Sequence, residues 1–527
     1  MRLRAAIALA ACSAFLAAGC GGGGGTSASF TGPDPASVTP PDAPIFAEAV
    51  VRPEGDQKEA VASALSKLLA TDDPGSLITD QLDQLLEAQS KGFTYEADVA
   101  PWLGPRAGVF FNTLAGQSDG AVVLSVTDTG AAQQAIAKAA STERSSRKGT
   151  FKGVGYTDMG DGTVAGLIGD LLVTGPKADF EAAVDASQGS SLAESSDFET
   201  QLDSEPSDQL AFAYLSPRAI VDQLEKDKQL SADQVAAAGP QLQTLLSQPV
   251  TMSASASDDQ VSLETSAATS SSTPAPEESS LLRDFPSDSW LAFGASQAGK
   301  AYGQALAEGG QAAVPSTLGL DFSQISKWAG DLGGYVRGTS LFGLGGALVV
   351  QTSDEQASAE TLDQLQRVLS RSSSVSVSSL SENGEQGFAI TPRGAPIQIQ
   401  FVQRDGKVVV GLGSDSVSQV FSPSSTLGDS DVFKGATDAL GSDFSPVALI
   451  DFVPLFQLVE SFPQATQDPS YQQAKPYLDH LDYLILGGRT EDDRGSIRMV
   501  LGLRDAPSQG GTVSTATPSA AIGAASP

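Results

Sequence analysis

A tryptophan–glycine pattern that occurs twice constrains this chain more than any other feature. The first copy reads Asp98-Val-Ala-Pro-Trp102-Leu-Gly104-Pro-Arg-Ala-Gly108-Val-Phe-Phe111, then a polar turn, then Gly120-Ala-Val-Val-Leu-Ser-Val-Thr-Asp128. The second reads Ile325-Ser-Lys-Trp328-Ala-Gly330-Asp-Leu-Gly-Gly334-Tyr-Val336, a turn, then Gly346-Ala-Leu-Val-Val-Gln-Thr-Ser-Asp354. Trp328 follows Trp102 by 226 residues (328 − 102), and Gly104/Gly330, Gly108/Gly334, Gly120/Gly346 and Asp128/Asp354 keep that offset without a gap. Such regularity predicts one strand–turn–strand module used twice.

The flanking sequence repeats in the same order. Short apolar runs at Ile45–Val51, Thr163–Ile168, Leu171–Thr174 and Leu210–Leu215 read as strands, and Phe151–Tyr156 reads as one more. Apolar residues at helical spacing mark Asp56–Ala70, Leu77–Ala88 and Thr129–Ala140 as helices. Hairpins are expected around Asp258-Asp259 and Glu491-Asp-Asp493. Strands joined mostly by hairpins, with helices set between them, predict an α+β fold: two tandem copies of a module with a largely antiparallel sheet and packed helices. The expected boundaries are a signal peptide at 1–20, a flexible tether at 21–40, a first module at 41–268 and a linker at 269–280. A second module at 281–505 and a disordered tail at 506–527 complete the chain. The linker predicts that each module melts on its own.

The N-terminus predicts export. Arg2 and Arg4 form a positive segment, Ala5–Leu16 an apolar one, and Leu16-Ala-Ala-Gly19-Cys20 follows. Small residues before a cysteine suit a lipoprotein signal, because the Cys20 thiol must accept the diacylglycerol. The apolar run is shorter than the ~20 residues that span a bilayer. The Gly21–Gly25 run and the Ser/Thr/Pro-rich stretch after it bury no core and read as a tether. The formal charge of −32 opposes binding to nucleic acid and to anionic lipid. The expected partners are therefore the membrane, through an N-terminal lipid anchor on the extracytoplasmic face, and an envelope protein or lipid. Cys12 leaves with the signal and Cys20 carries lipid, so no disulfide is expected.

The stretch Tyr95-Glu-Ala-Asp98-Val-Ala-Pro101-Trp102-Leu-Gly104-Pro-Arg106-Ala resembles a bacterial exported family known as domain of unknown function 3352. That family's pattern is an acidic residue, a short gap, Pro-Trp-Leu-Gly and a strand. Pro41-Asp42-Ala43 and the strand–helix unit from Leu171 to Val184 are similar too, and the resemblance covers most of 41–505. In the second copy Lys327 replaces Pro101 and Ala329 replaces Leu103. The resemblance implies an exported, membrane-associated protein and carries over no catalytic residue.

Several short motifs touch on chemistry, and each reads more simply as structure. Gly116-Gln-Ser118-Asp-Gly120 has the nucleophile-elbow pattern, but a strand follows where a helix is required, and the chain's one histidine is His480. Ser145-Ser-Arg-Lys148 has the Ser-x-x-Lys spacing without the companion Ser-Asp-Asn and Lys-Thr-Gly, and reads as an exposed basic loop. Asp158-Met-Gly-Asp161-Gly162 and Glu491-Asp-Asp493 lack a calcium-loop spacing and read as turns. Gly343-Leu-Gly345-Gly346 lacks the phosphate-loop lysine and precedes a strand. One His and a lipid-bound Cys give no zinc set. The expectation is a non-enzymatic interaction or binding module without metal or cofactor. The alternative is a carrier for apolar, lipid-like ligands, which calls for a large dry cavity. Trp102, Trp328, Gly104 and Gly330 are expected to be structural anchors, with Gly104 and Gly108 making room for the Trp102 indole.

Overall fold

β-Branched and aromatic runs bounded by Gly, Asp and Pro supply the strands of this chain. The computed structural model describes residues 30–507 except 90–91, 114–119, 142–144, 207, 238, 270–276, 302–321, 381–385, 395–396 and 414. Among the described residues, 20 strands form one antiparallel sheet. The first ten are β1 (Ile45–Val50), β2 (Leu103–Phe111), β3 (Gly120–Val126), β4 (Arg147–Phe151), β5 (Val154–Asp158), β6 (Thr163–Ile168), β7 (Leu171–Pro176), β8 (Ala211–Leu215), β9 (Val250–Ser257) and β10 (Gln260–Ala268). The second ten are β11 (Ser289–Ala295), β12 (Ala329–Arg337), β13 (Gly345–Thr352), β14 (Val375–Leu380), β15 (Gln386–Pro392), β16 (Ile399–Arg404), β17 (Lys407–Leu412), β18 (Ser445–Asp451), β19 (Leu481–Glu491) and β20 (Arg494–Leu503).

Pairing gives the order β4-β5-β6-β7-β3-β2-β1-β8-β9-β10 in the first half. The second half runs β14-β15-β16-β17-β13-β12-β11-β18-β19-β20. The two orders are the same with ten added to every label. β10 then pairs with β20, from Gln260↔Gly502 to Ala268↔Arg494, so the halves meet edge to edge inside the sheet. The linker is thus not the only connection between them.

Both faces of the first half are covered. On one, Phe46, Phe110, Val123 and Phe212 pack against the helix Lys177–Gln188 and the short turn Pro35–Val38. On the other, Val122, Leu124, Trp102 and Leu172 pack with Ala132, Ala135 and Ala139 of the helix Thr129–Ser141. In the second half the larger core gathers Val349, Leu449 and Val500 with Phe433 of the helix Asp431–Leu440. A smaller cluster of Phe388, Ile390 and Leu365 lies under the helix Glu355–Ser370. The aspartate that closes each copy of the repeat caps the next helix: Asp128 accepts from Ala131 N at 2.9 Å and Asp354 from Ala357 N at 3.0 Å.

The structure departs from the sequence reading in four places. The tether ends before residue 40: Ala36 and Thr39 are buried, Asp34 accepts from Ala36 N, and this segment closes the first core. Phe151–Tyr156 is not one strand but the end of β4 and the start of β5. Lys152 and Gly153 have positive φ and form a two-residue hairpin turn between them. Strands β14 and β15 were not expected, because Ser-rich Val375–Leu380 alternates without an apolar run. Ile325–Trp328 closes a helix, Phe322–Trp328, where a strand was expected. The signal peptide and most of the tail, 508–527, lie outside the described residues, as do 270–276 of the linker. At the linker's edges, Thr269 N bonds Asp493 O at 2.8 Å and buried Ser279 caps the helix Ser280–Asp284. No helix among the described residues is long and apolar enough to cross a membrane.

Candidate ligand groove

Strands β4, β5 and β6 extend the sheet past the end of the helix Thr129–Ser141, and a groove of about 650 Å³ opens between them. Register places Lys148, Thr157 and Ala165 side by side in one cross-strand row facing it. The helix contributes Ile136 and Ala140 opposite Ala165. The floor is therefore apolar: Ala140 and Ala165 are buried, Ile136 and Leu167 half-buried. A side chain at Gly155 would meet nothing within 4 Å, so the groove continues over that residue. At the mouth stands Lys148, exposed and in no ion pair among the described residues, while its neighbour Arg147 shares a row with Asp158 and Val164 on the opposite face. The opposite face of this wing is closed. Tyr156 stacks edge-on to Phe180 at 5.5 Å, and Gly149 and Gly166 leave the space these rings occupy.

The strongest buried charge cluster lies elsewhere in the first half. Glu48 on β1 and Arg106 on β2 are 1 % and 5 % exposed, and Arg106 Nη2 donates to Glu48 Oε2 and, at 2.8 Å, to Asp34. Burial pushes Glu48 up to about 7, against the pull of Arg106. The Arg106 guanidinium also lies over the Phe30 ring at 5.0 Å. These contacts fasten the segment from Phe30 to Val38 across the sheet. They hold no nucleophile and face a packed core.

The sequence-derived anchors take these positions. Trp102 and Trp328 are both buried. Trp102 Nε1 donates to Asp98 O at 2.6 Å, and Trp328 Nε1 to Thr361 Oγ1 at 3.2 Å. Each tryptophan carbonyl accepts the backbone N–H of the residue 25 places on, Thr127 or Ser353, at 2.8 Å. Gly104 and Gly108 do not make room for the Trp102 indole as expected. A side chain at Gly104 would strike Ser125, whose hydroxyl bridges Arg106 N and O across the irregular register of β2. Gly330 faces Gln351 at ordinary contact distance, and Gly108 is filled from outside by Pro35. Asp98 receives Thr94 N and Lys138 Nζ, so the acidic residue before Trp102 ties its turn to the following helix.

The other motifs resolve into local structure. Asp158 and Asp161 accept from Gly160 N and Thr163 N inside the β5–β6 turn. Asp493 accepts from Gln248, and Gly343 donates to Ser340 O in the β12–β13 turn. His480 Nδ1 contacts Arg504 O at 3.0 Å. Cys20 and Ser118 lie outside the described residues. Among the described residues no group of three or more His, Cys, Asp or Glu is arranged to hold a metal. The groove was missed in the sequence because it is made by what is small: Thr157, Ala165 and Gly155 carry no chemical signature.

Comparison with solved structures finds TP0453 in crystal forms I and III. Form I is 12 % identical, covering 46 % of this chain and 80 % of that one with a TM-score of 0.24. Form III is also 12 % identical, covering 46 % and 82 %, with a TM-score of 0.25. No curated protein matches the chain. The family described as "Protein of unknown function (DUF3352)" matches residues 3–498, and the chain belongs to that family.

Proposed function

We propose that this chain is an extracytoplasmic lipoprotein, anchored to the membrane through Cys20, that acts as a non-enzymatic binding module. In the same reading its 41–268 and 281–505 regions are two copies of one unit. The observation that carries the binding role is the groove beside the helix Thr129–Ser141: an apolar floor, small side chains and, at its mouth, Lys148, in no ion pair among the described residues. Such a site recognises without offering a nucleophile–base pair. The repeated strand order and the matched caps at Asp128 and Asp354 support the two-copy reading. An enclosing carrier is less well supported. Large rings such as Phe46, Phe110, Phe285 and Phe433 fill the main cores, and the groove itself lies open at the surface among the described residues.

The test is affinity purification from detergent-solubilised membranes, with extraction and mass spectrometry of whatever accompanies the protein. A partner or small molecule should co-purify chemically unaltered and in stoichiometric amount. A companion that the purified protein converts to product would overturn the non-enzymatic reading. A protein that emerges alone would overturn the binding role.

A further inference from the structure

The two halves differ where the groove lies, and the difference can be read by register. In the first half the cross-strand row is Lys148–Thr157–Ala165–Thr174. In the second half the row at the same place in the strand order is Ser379–Phe388–Phe401–Val410. The hairpins fix the correspondence. Ile168 precedes the two-residue turn between β6 and β7, as Arg404 precedes that between β16 and β17, and Ala165 and Phe401 each lie three residues earlier. The carbonyl of the second residue in each turn, Asp170 or Gly406, accepts from the N–H of Val126 or Thr352, which are 226 residues apart (352 − 126). Phe388 and Phe401 stack at 4.7 Å and fill the space under the helix Glu355–Ser370 with Leu365. Thr157 and Ala165 stand in their places in the first half; Met159 packs against Ala140 and Ala165, and the groove occupies the space that remains. Lys148 likewise stands where the second half has Ser379.

We propose that the first half's groove binds a single-chain anionic amphiphile. Its alkyl chain lies along Ile136, Ala140, Ala165 and Leu167, and its carboxylate or phosphate head meets Lys148. The proposal rests on the reading of this groove as a binding site and names its ligand class. The volume of about 650 Å³ lies within the range of small-molecule sites. Charge supports the sign of the head. In a chain of formal charge −32, Lys148 is exposed and in no ion pair among the described residues, and it stands at the end of an apolar channel. The second half, plugged by two stacked rings and with Ser379 at the mouth, binds nothing there.

The experiment uses the purified full chain and 11-(dansylamino)undecanoic acid, read by the emission shift of the dansyl group. Palmitate and 1-palmitoyl lysophosphatidate serve as competitors, and the methyl ester of the probe as the uncharged control. One molecule should bind per chain. The better competitor identifies whether the head is a carboxylate or a phosphate. Thr157→Phe with Ala165→Phe copies the plug of the second half and should abolish binding without lowering the melting temperature. Lys148→Ser should weaken the acid roughly tenfold, as loss of a charge-assisted contact does, and leave the ester unchanged. Equal binding by the plugged variant would overturn the assignment of the site. If that variant unfolds, the serine variant decides alone: equal loss of acid and ester, or no loss of either, overturns the proposal. If a different molecule co-purifies from membranes while neither amphiphile binds, the ligand class falls and the binding role stands.

Discussion

Glu264→Ala tests whether the two halves of the sheet behave as one body. Glu264 lies on β10 directly opposite Arg498 on β20 and is 5 % exposed. Its Oε2 accepts from Arg498 Nε at 3.0 Å and Nη2 at 2.7 Å, and its Oε1 from Arg489 Nη2 at 3.0 Å. Removing one partner of a fully buried ion pair costs ~3–5 kcal/mol. Here the two arginine side chains are 24 % and 19 % exposed, and both keep other partners. Arg489 retains Asp443, Arg498 retains Leu440 O, and both lie against the Phe444 ring. The cost therefore falls to about 2–3 kcal/mol, the range for hydrogen bonds to charged groups. In a unit of 150–250 residues each kcal/mol lowers the melting temperature by ~2–4 °C, so halves that unfold separately would shift by about 4–12 °C. A single unit of twice the size spreads the same loss over twice the unfolding entropy and shifts by about half as much. Calorimetry should show one transition in the wild type, moving down as a whole in Glu264→Ala, with Glu264→Gln in between. Two wild-type transitions, only one of which responds, would refute the reasoning and restore the independent modules that the linker suggested.

Three further outcomes are expected. The folded state binds the Glu48 proton more tightly than the unfolded chain does, because burial raises this carboxyl from 4.5 to about 7. Its contribution is thus fully present below about 4.5 and lost as pH rises towards about 7. Urea denaturation should show wild-type stability falling across that window more steeply than that of Glu48→Gln, and parallel profiles would refute it. Trp102→Ala removes a buried indole at a cost of ~3–5 kcal/mol and should destabilise the whole sheet; lost binding at unchanged stability would place Trp102 in a recognition surface. Cys20→Ala should leave the membrane fraction or stall as precursor, and wild-type fractionation and mobility would remove the anchor.

The 226-residue offset was legible because the pattern lies at the centre of each half, where β2–β3 and β12–β13 pair and cores press from both sides. Strands of that kind read as continuous apolar runs and are easily found. The outer wing was harder. β4 and β14 are edge strands without a buried residue, and their Ser, Lys and Thr supply no apolar run. The tether was misread for the opposite reason. Phe30–Thr39 looks like a polar linker, yet long-range contacts fix it: Arg106 reaches Asp34, and Pro35 fills the space above Gly108. No local pattern announces a contact between residues 34 and 106. The groove escaped because a cavity is a difference between neighbours, and only the register of β4–β6 against β14–β16 shows which side chains are missing.

The seam adds a constraint that the two-copy reading explains. The turns Asp258-Asp259 and Asp492-Asp493 are 234 residues apart (492 − 258), and the same offset carries Glu264 to Arg498. Those two residues face one another in the β10–β20 ladder, so equivalent hairpins meet about a local two-fold axis that passes between them. Each half alone would end in a long unpaired edge, a template for association. Joining the edges removes that hazard. In a dimer of identical chains the residue on such an axis meets its own copy, so a charged residue there would meet a like charge. Under the two-copy reading that restriction is escaped, because the two positions can diverge separately. Glu264 against Arg498, with Arg489 alongside, is an arrangement open to a fused pair and closed to a symmetric one. The same freedom lets one wing keep its groove while the other is filled by Phe388 and Phe401.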